Sequence, residues 1–141
     1  MNRQERIKAF LAGQVFAVVG ASKDRSKYGN KVLRCYLQNG LRAYPVNPKE
    51  HEIEGQVCVP SLADLPEAVH AVSIIPPPHI SEQIVVSAAQ AGIRHVWMQP
   101  GAESPRAIEL AEANHLNVIG DGSCLLVVLG FDATGEAGRD L

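Results

Sequence analysis

Apolar residues along this chain alternate between short unbroken runs and longer stretches where they recur every three or four positions. The first run, Val15-Phe16-Ala17-Val18-Val19, carries no charge and is closed by Gly20. An uninterrupted β-branched run predicts a strand buried on both faces. Gly20, Ala21 and Ser22 follow, all small. From near Lys27, Val32, Leu33, Tyr36 and Leu37 fall at helical spacing until Asn39-Gly40. Residues 41–46 predict a second strand, stopped by Asn47-Pro48, with Pro45 demoting it to an edge or an irregular end. Residues 55–59 read as a minor strand or an extended connector, and 60–66 as a short helix capped by Ser61. A third strand spans 70–75, with Val72, Ile74 and Ile75 buried, and three prolines end it. A helix over 79–91 carries Ile80, Ile84, Val85, Ala88 and Ala89 on one face. Residues 93–98 predict a fourth strand, Ser104 and Pro105 open a further helix, and Val118-Ile119 mark a fifth strand. Residues 123–130 are apolar and read as a last strand or a short helix. At the N-terminus, Ile7, Phe10 and Leu11 share one side of an amphipathic helix over 3–12, which Gly13 stops.

Strands thus alternate with helices, which implies a parallel sheet covered by helices on both faces. Right-handed crossovers gather the C-terminal strand ends on one edge, where ligands bind at the switch point of the strand order. Four loops should converge there: 20–29, 47–49, 76–79 and 99–101. The expected organisation is a helix over 1–14 packed on a domain of residues 15–130, with a flexible tail over 131–141.

Composition narrows the function. The 141 residues suit one domain, and the formal charge of −2 argues against a general nucleic-acid binder. The cations are local, clustered from Lys23 to Lys31. Three widely spaced cysteines, without a C-x-x-C pair, suggest neither a zinc site nor a disulfide framework, and suit a reducing, cytoplasmic setting. No apolar run approaches the ~20 residues that cross a bilayer, so no membrane association is expected. Five histidines show no metal-ligand spacing. No G-x-S-x-G elbow surrounds Ser123, and Cys124 reads as a small core residue rather than a nucleophile, because free cysteines are usually buried.

The candidate chemistry lies in the loops. A strand, a small-residue loop and a helix make a phosphate site, because the first-turn N–H groups and the helix dipole favour an anion. Lys23, Arg25 and Lys27 add charge to it. The loop is not a G-x-G-x-x-G fingerprint: Ser22 and Arg25 stand where the second and third glycines belong, and the next glycine is Gly29. A dinucleotide site also wants a carboxylate at the end of the second strand. This chain offers Asn47-Pro48-Lys49, which favours an adenosine whose ribose carries a phosphate. NADP and coenzyme A both qualify. Pro76, Pro77 and Pro78 could wall a flat base, and Gln99 could bond a ligand amide or fasten its own loop.

Taken together, VVGAS, Tyr28-Gly29, YPVNPK, VSIIPPP, VWMQPGAES and the Gly120-to-Cys124 stretch come in an order and at spacings that carry a family likeness. Over residues 15–129 the chain resembles the small stand-alone CoA-binding proteins, which are similar to the CoA-binding domain of the succinyl-CoA synthetase α subunit. The resemblance implies an α/β, Rossmann-like three-layer sandwich with a mainly parallel sheet of five or six strands, binding coenzyme A or an acyl-CoA. It implies that Gly20, Ala21, Ser22 and Lys23 meet the CoA phosphates, within a loop that also holds Arg25, Tyr28 and Gly29. Lys49, after Asn47-Pro48, matches the synthetase lysine placed on CoA. Pro76, Pro77 and Pro78 would flank the adenine, and Trp97, Met98 and Gln99 would line the end of the fourth strand. The synthetase carries its phosphorylated histidine in a second domain, so binding without catalysis is expected here. An NADP-dependent oxidoreductase-type domain and a partner-dependent acyl-CoA synthetase subunit remain the alternatives, and a protein partner is possible.

Overall fold

A computed structural model describes residues 1–134. Its centre is a five-stranded, all-parallel sheet: β1 (Val15–Val19), β2 (Arg42–Val46), β5 (Ala71–Ile74), β6 (His95–Met98) and β7 (Asn117–Ile119), in the order β2-β1-β5-β6-β7. The chain leaves β1 for one side to form β2 and returns across it to form β5, β6 and β7. The switch point therefore falls between β1 and β5. Their pairing runs from Phe16–Ala71 to Val19–Ile74. Phe16, Ala17 and Val18 have no exposed surface, as an unbroken apolar run requires.

Helices cover both faces. On one, α3 (Pro78–Gln90) and α4 (Pro105–Ala113) bury Val85, Ala88, Ala107 and Ala111 against Val72, Val96 and Val118. On the other, α1 (Arg3–Leu11) and α2 (Tyr28–Gln38) bury Phe10, Val32, Leu33 and Tyr36 against Phe16, Val18 and Trp97. Ser104 caps α4 by accepting from the Ala107 N–H, with Pro105 in the first turn as its sequence predicts.

Four segments settle what the pattern left open. Strand β2 is an edge strand, and the Val59 N–H donates to the Pro45 carbonyl across its outer side. The N–H that Pro45 lacks would face that same side, so β2 loses no bond to β1. Residues 52–57 form a separate hairpin of β3 (Glu52–Ile53) and β4 (Gln56–Val57), after which Val59 pairs with Val46. The short helix is one 3-10 turn, Leu62–Asp64, and Ser61 makes no capping bond: its hydroxyl donates to Asp64 Oδ2 instead. The apolar segment near the C-terminus is a π-helical turn, Leu126–Gly130, so the main sheet stops at five strands. Of the expected tail, Asp132 exchanges two hydrogen bonds with the Gln38 side chain on α2. Residues 135–141 lie outside the described residues. No helix among the described residues is long and apolar enough to cross a membrane.

Helix α1 is held to the N-terminal strand ends by polar groups as well as by Phe10. His70 Nε2 lies 2.9 Å from the Ala9 carbonyl, and Asn117 Nδ2 donates to the Arg6 carbonyl. The His70 and His95 rings stack with centroids 4.3 Å apart. Burial, and then the neighbouring His70, push the His95 pKa below the usual imidazole value. A histidine depressed in the folded state takes up its proton more readily in the unfolded chain. Its contribution to stability is therefore complete above the unfolded value, about 6.5, and is lost as pH falls below it. Urea titrations at pH 7.5 and 5.5 should show wild type losing stability on acidification and His95→Gln losing less. An equal loss in both proteins would remove His95 from the acid response.

Candidate functional site

The C-terminal sheet edge is built around two glycines that play different parts. Gly20, directly after β1, has φ +92°, a left-handed value that side chains disfavour. A methyl group there would also lie 2.9 Å from Ile75 Cβ and from Pro76 Cδ. Gly29 sits in the first turn of α2, and a methyl group there would lie 2.1 Å from the Gly20 carbonyl oxygen. Helix α2 thus starts against the end of β1. In the dinucleotide fingerprint the third glycine allows this close helix–strand approach. Here Gly29 does so from nine residues along, because the loop is longer.

Three side chains, one at the end of β2 and two on α2, pin that loop. Asn47, at the end of β2, donates to the Ala21 carbonyl at 2.9 Å and accepts from the Lys49 N–H at 2.8 Å. Asn30 donates to the Ser22 carbonyl at 2.8 Å, and Arg34 donates to the Arg25 carbonyl at 3.0 Å. Arg34 Nε in turn donates to Asn30 Oδ1, and burial and the nearby Arg25 lower the Arg34 pKa. Lys27 stands at the N-cap of α2 without a side-chain capping bond. The first-turn N–H groups of α2 have no intrahelical acceptor.

Beside Gly20 a cleft of about 280 Å³ opens between β1, β2 and β5. Gly20, Asn47, Pro48 and Pro76 line it, as the sequence brought them together, and Pro60, Leu62, Ile80 and Ile84 complete its apolar wall. None of its lining residues is an acid or a base. Ala21 is buried behind the loop, while Pro77 and Pro78 are exposed at the start of α3, beyond the cleft. Lys49 is exposed one residue past Pro48.

The end of β6 serves the core. Trp97 and Met98 have no exposed surface, and the indole N–H of Trp97 donates to the Ser123 carbonyl. Neither side chain presents a face to a ligand. Gln99 Oε1 accepts from the Tyr28 hydroxyl and the Leu125 N–H, so the amide fastens the chain after β7 to the start of α2. Its Nε2 has no hydrogen-bond partner among the described residues. Cys124, expected in the core, is instead half-buried at this edge, with its sulfur 2.6 Å from the Tyr28 hydroxyl. Burial, then the bond to Cys124, raise the Tyr28 pKa.

Two residues near the loop escaped the sequence reading. Glu50 Oε2 lies 3.1 Å from Lys23 Nζ, and Glu54 Oε2 lies 3.3 Å from Arg25 Nε. They could be found only once the hairpin between β2 and the 3-10 turn was seen to fold back over the loop.

An all-parallel sheet whose switch-point edge joins a cationic loop to an apolar cleft defines a nucleotide-type binding domain. The chain belongs to the CoA binding domain family, which matches residues 14–129. It is 31% identical over 116 residues to an ADP-forming acetate–CoA ligase (II) of Archaeoglobus fulgidus, covering 74% of this chain and 17% of the ligase. It is 28% identical to the α subunit of the corresponding ligase II of Pyrococcus furiosus, covering 79% of this chain and 27% of that subunit. The chain therefore spans well under a third of these relatives. Among solved structures, a conserved hypothetical protein of Pyrococcus furiosus superimposes with TM-score 0.77 at 37% identity, covering 82% of this chain and 99% of that one.

Proposed function

We propose that this chain binds coenzyme A or an acyl-CoA across the C-terminal edge of the sheet, without catalysing a reaction by itself. The observation that carries the reading is the cleft shared by Gly20, Asn47, Pro48 and Pro76, with no carboxylate at the end of β2. Adenine fits between Pro48 and Pro76. The ribose then falls beside Asn47 and Lys49, and the diphosphate beside Gly20, Ala21, Ser22, Lys23 and Arg25. The pantetheine arm runs past Tyr28 and Gly29 toward Gln99, whose unpartnered Nε2 suits a ligand carbonyl. In this reading residues 15–130 form the binding unit, and residues 1–14 cover one end of its sheet.

Membership of the family supports coenzyme A over other adenosine ligands. The likeness to an acetate–CoA ligase α subunit favours, as a second reading, a subunit that acts only with a partner protein. A thermal-shift panel of coenzyme A, acetyl-CoA, NAD and NADP tests the first reading, because a ligand that binds only the folded chain raises its melting temperature. Coenzyme A and acetyl-CoA should raise it and NAD should not. Equal stabilisation by NAD, or nucleotide-dependent formation of acyl-CoA by the purified chain, would overturn the reading.

A further inference from the structure

We infer that Glu50 and Glu54 are built-in counter-anions of the phosphate loop, which a phosphate-bearing ligand must displace from Lys23 and Arg25 before it can bind. The inference rests on the coenzyme A reading above and adds a control on that site.

Two ion pairs at 3.1 and 3.3 Å join the loop to the segment that carries the hairpin. Their members are unequally free. The Lys23 and Arg25 side chains are each 62% exposed, whereas those of Glu50 and Glu54 are 30% and 22% exposed. The cations can swing to a new partner while the carboxylates stay. Glu54 is anchored further, because Asn30 Nδ2 donates to its Oε2 at 3.1 Å as well as to the Ser22 carbonyl. Its backbone is also unusual: Glu54 has φ +51° and Gly55 φ +77°. Two left-handed residues in a two-residue hairpin loop make a turn that Asn, Asp or Gly would fill most easily. A glutamate there holds a disfavoured conformation while its carboxylate rests on the loop.

The ligand-free loop therefore has two of its cations already neutralised. The diphosphate of coenzyme A brings one negative charge on each phosphate, as many as the two carboxylates together, and each phosphate accepts more hydrogen bonds than a carboxylate, so it can win the exchange. A ligand with a single weak negative charge cannot. The hairpin thus lowers affinity for every ligand and selects for those rich in phosphate.

Titration calorimetry with coenzyme A at low and at high salt tests this on wild type, Glu50→Gln, Glu54→Gln and the double variant. Each single variant should bind about threefold tighter and the double about tenfold tighter, the range expected for part-exposed pairs. The gain should shrink at high salt. In a Lys23→Met background Glu50→Gln should bring no gain, and Glu109→Gln on α4 should bring none in any background. Weaker binding by Glu50→Gln would mean that the acids position the cations, and would overturn the inference. So would a gain that survives Lys23→Met, since it would be a bulk charge effect. If Glu54→Gln melts early through loss of the Asn30 bond, Glu50→Gln decides alone. No coenzyme A binding by wild type would remove the proposed function and this control together. Wild-type binding with unchanged variants would remove only the control.

Discussion

Gly29→Ala should unfold the phosphate loop and destabilise the whole domain. The new methyl group would sit 2.1 Å from the Gly20 carbonyl oxygen, far inside any real contact. The obstacle is backbone, so no side-chain rotation relieves it. Either α2 backs away from β1 or the loop after Gly20 moves. Both options open the core that Val32, Leu33 and Tyr36 form with Phe16 and Val18. Overpacking against flexible side chains costs about 1–3 kcal/mol, and a backbone obstacle belongs at or above the top of that range. Against a total stability of roughly 5–15 kcal/mol, that is a fall in melting temperature of about 10 °C or more. Coenzyme A binding should be lost even where the variant still folds, because Gly20 is the pivot between loop and cleft. Gly40→Ala is the matched control. Gly40 has φ +74° but nothing within 4 Å of the added methyl group, so it should cost only the left-handed penalty of about 1–2 kcal/mol. Calorimetric melts of the two variants separate steric from conformational cost. A Gly29→Ala protein that melts no lower than Gly40→Ala would show that α2 does not need its close approach.

Lys49→Ala should weaken coenzyme A roughly tenfold and dephospho-CoA, which lacks the 3′-phosphate, much less. Asn47 accepts from the Lys49 N–H, and this small turn sets Lys49 just beyond Pro48 at the mouth of the cleft. An adenosine lodged there brings its ribose 3′-oxygen to the same place. Lysine is a compact point charge suited to a terminal phosphate dianion. Among the described residues Lys49 makes no ion pair, unlike Lys23 and Arg25, so no carboxylate need be displaced first. Calorimetric titration of both ligands into both proteins decides the matter. Equal weakening of the two ligands would mean that Lys49 does not meet the 3′-phosphate.

The course of the chain was legible because the apolar pattern is strong. Val15–Val19 occupies β1 as its unbroken run requires, and Pro45 correctly marked β2 as an edge strand. Turn and cap chemistry placed the start of α4 at Ser104-Pro105. The run around Leu126 was ambiguous, since a short apolar segment has no period to read, and packing on α2 made it a π-helical turn instead of a sixth strand. Of the hairpin at residues 52–57, the second strand falls within the segment 55–59 read as a minor strand or a connector, while the first was missed because two residues are too short to show alternation.

The sequence by itself determined the succession of the main-sheet strands and the α-helices, the cationic loop after β1 and the lack of a carboxylate after β2, because these are properties of neighbours along the chain. The tertiary structure decided the rest, because it depends on residues far apart in sequence. It made Gly29 the close-packing glycine despite a failed fingerprint. It buried Trp97 and Met98 and turned the Gln99 carbonyl to structural use. It brought Glu50 and Glu54 over the loop, where carboxylates that look like ordinary surface charge lie within 3.3 Å of the loop's cations.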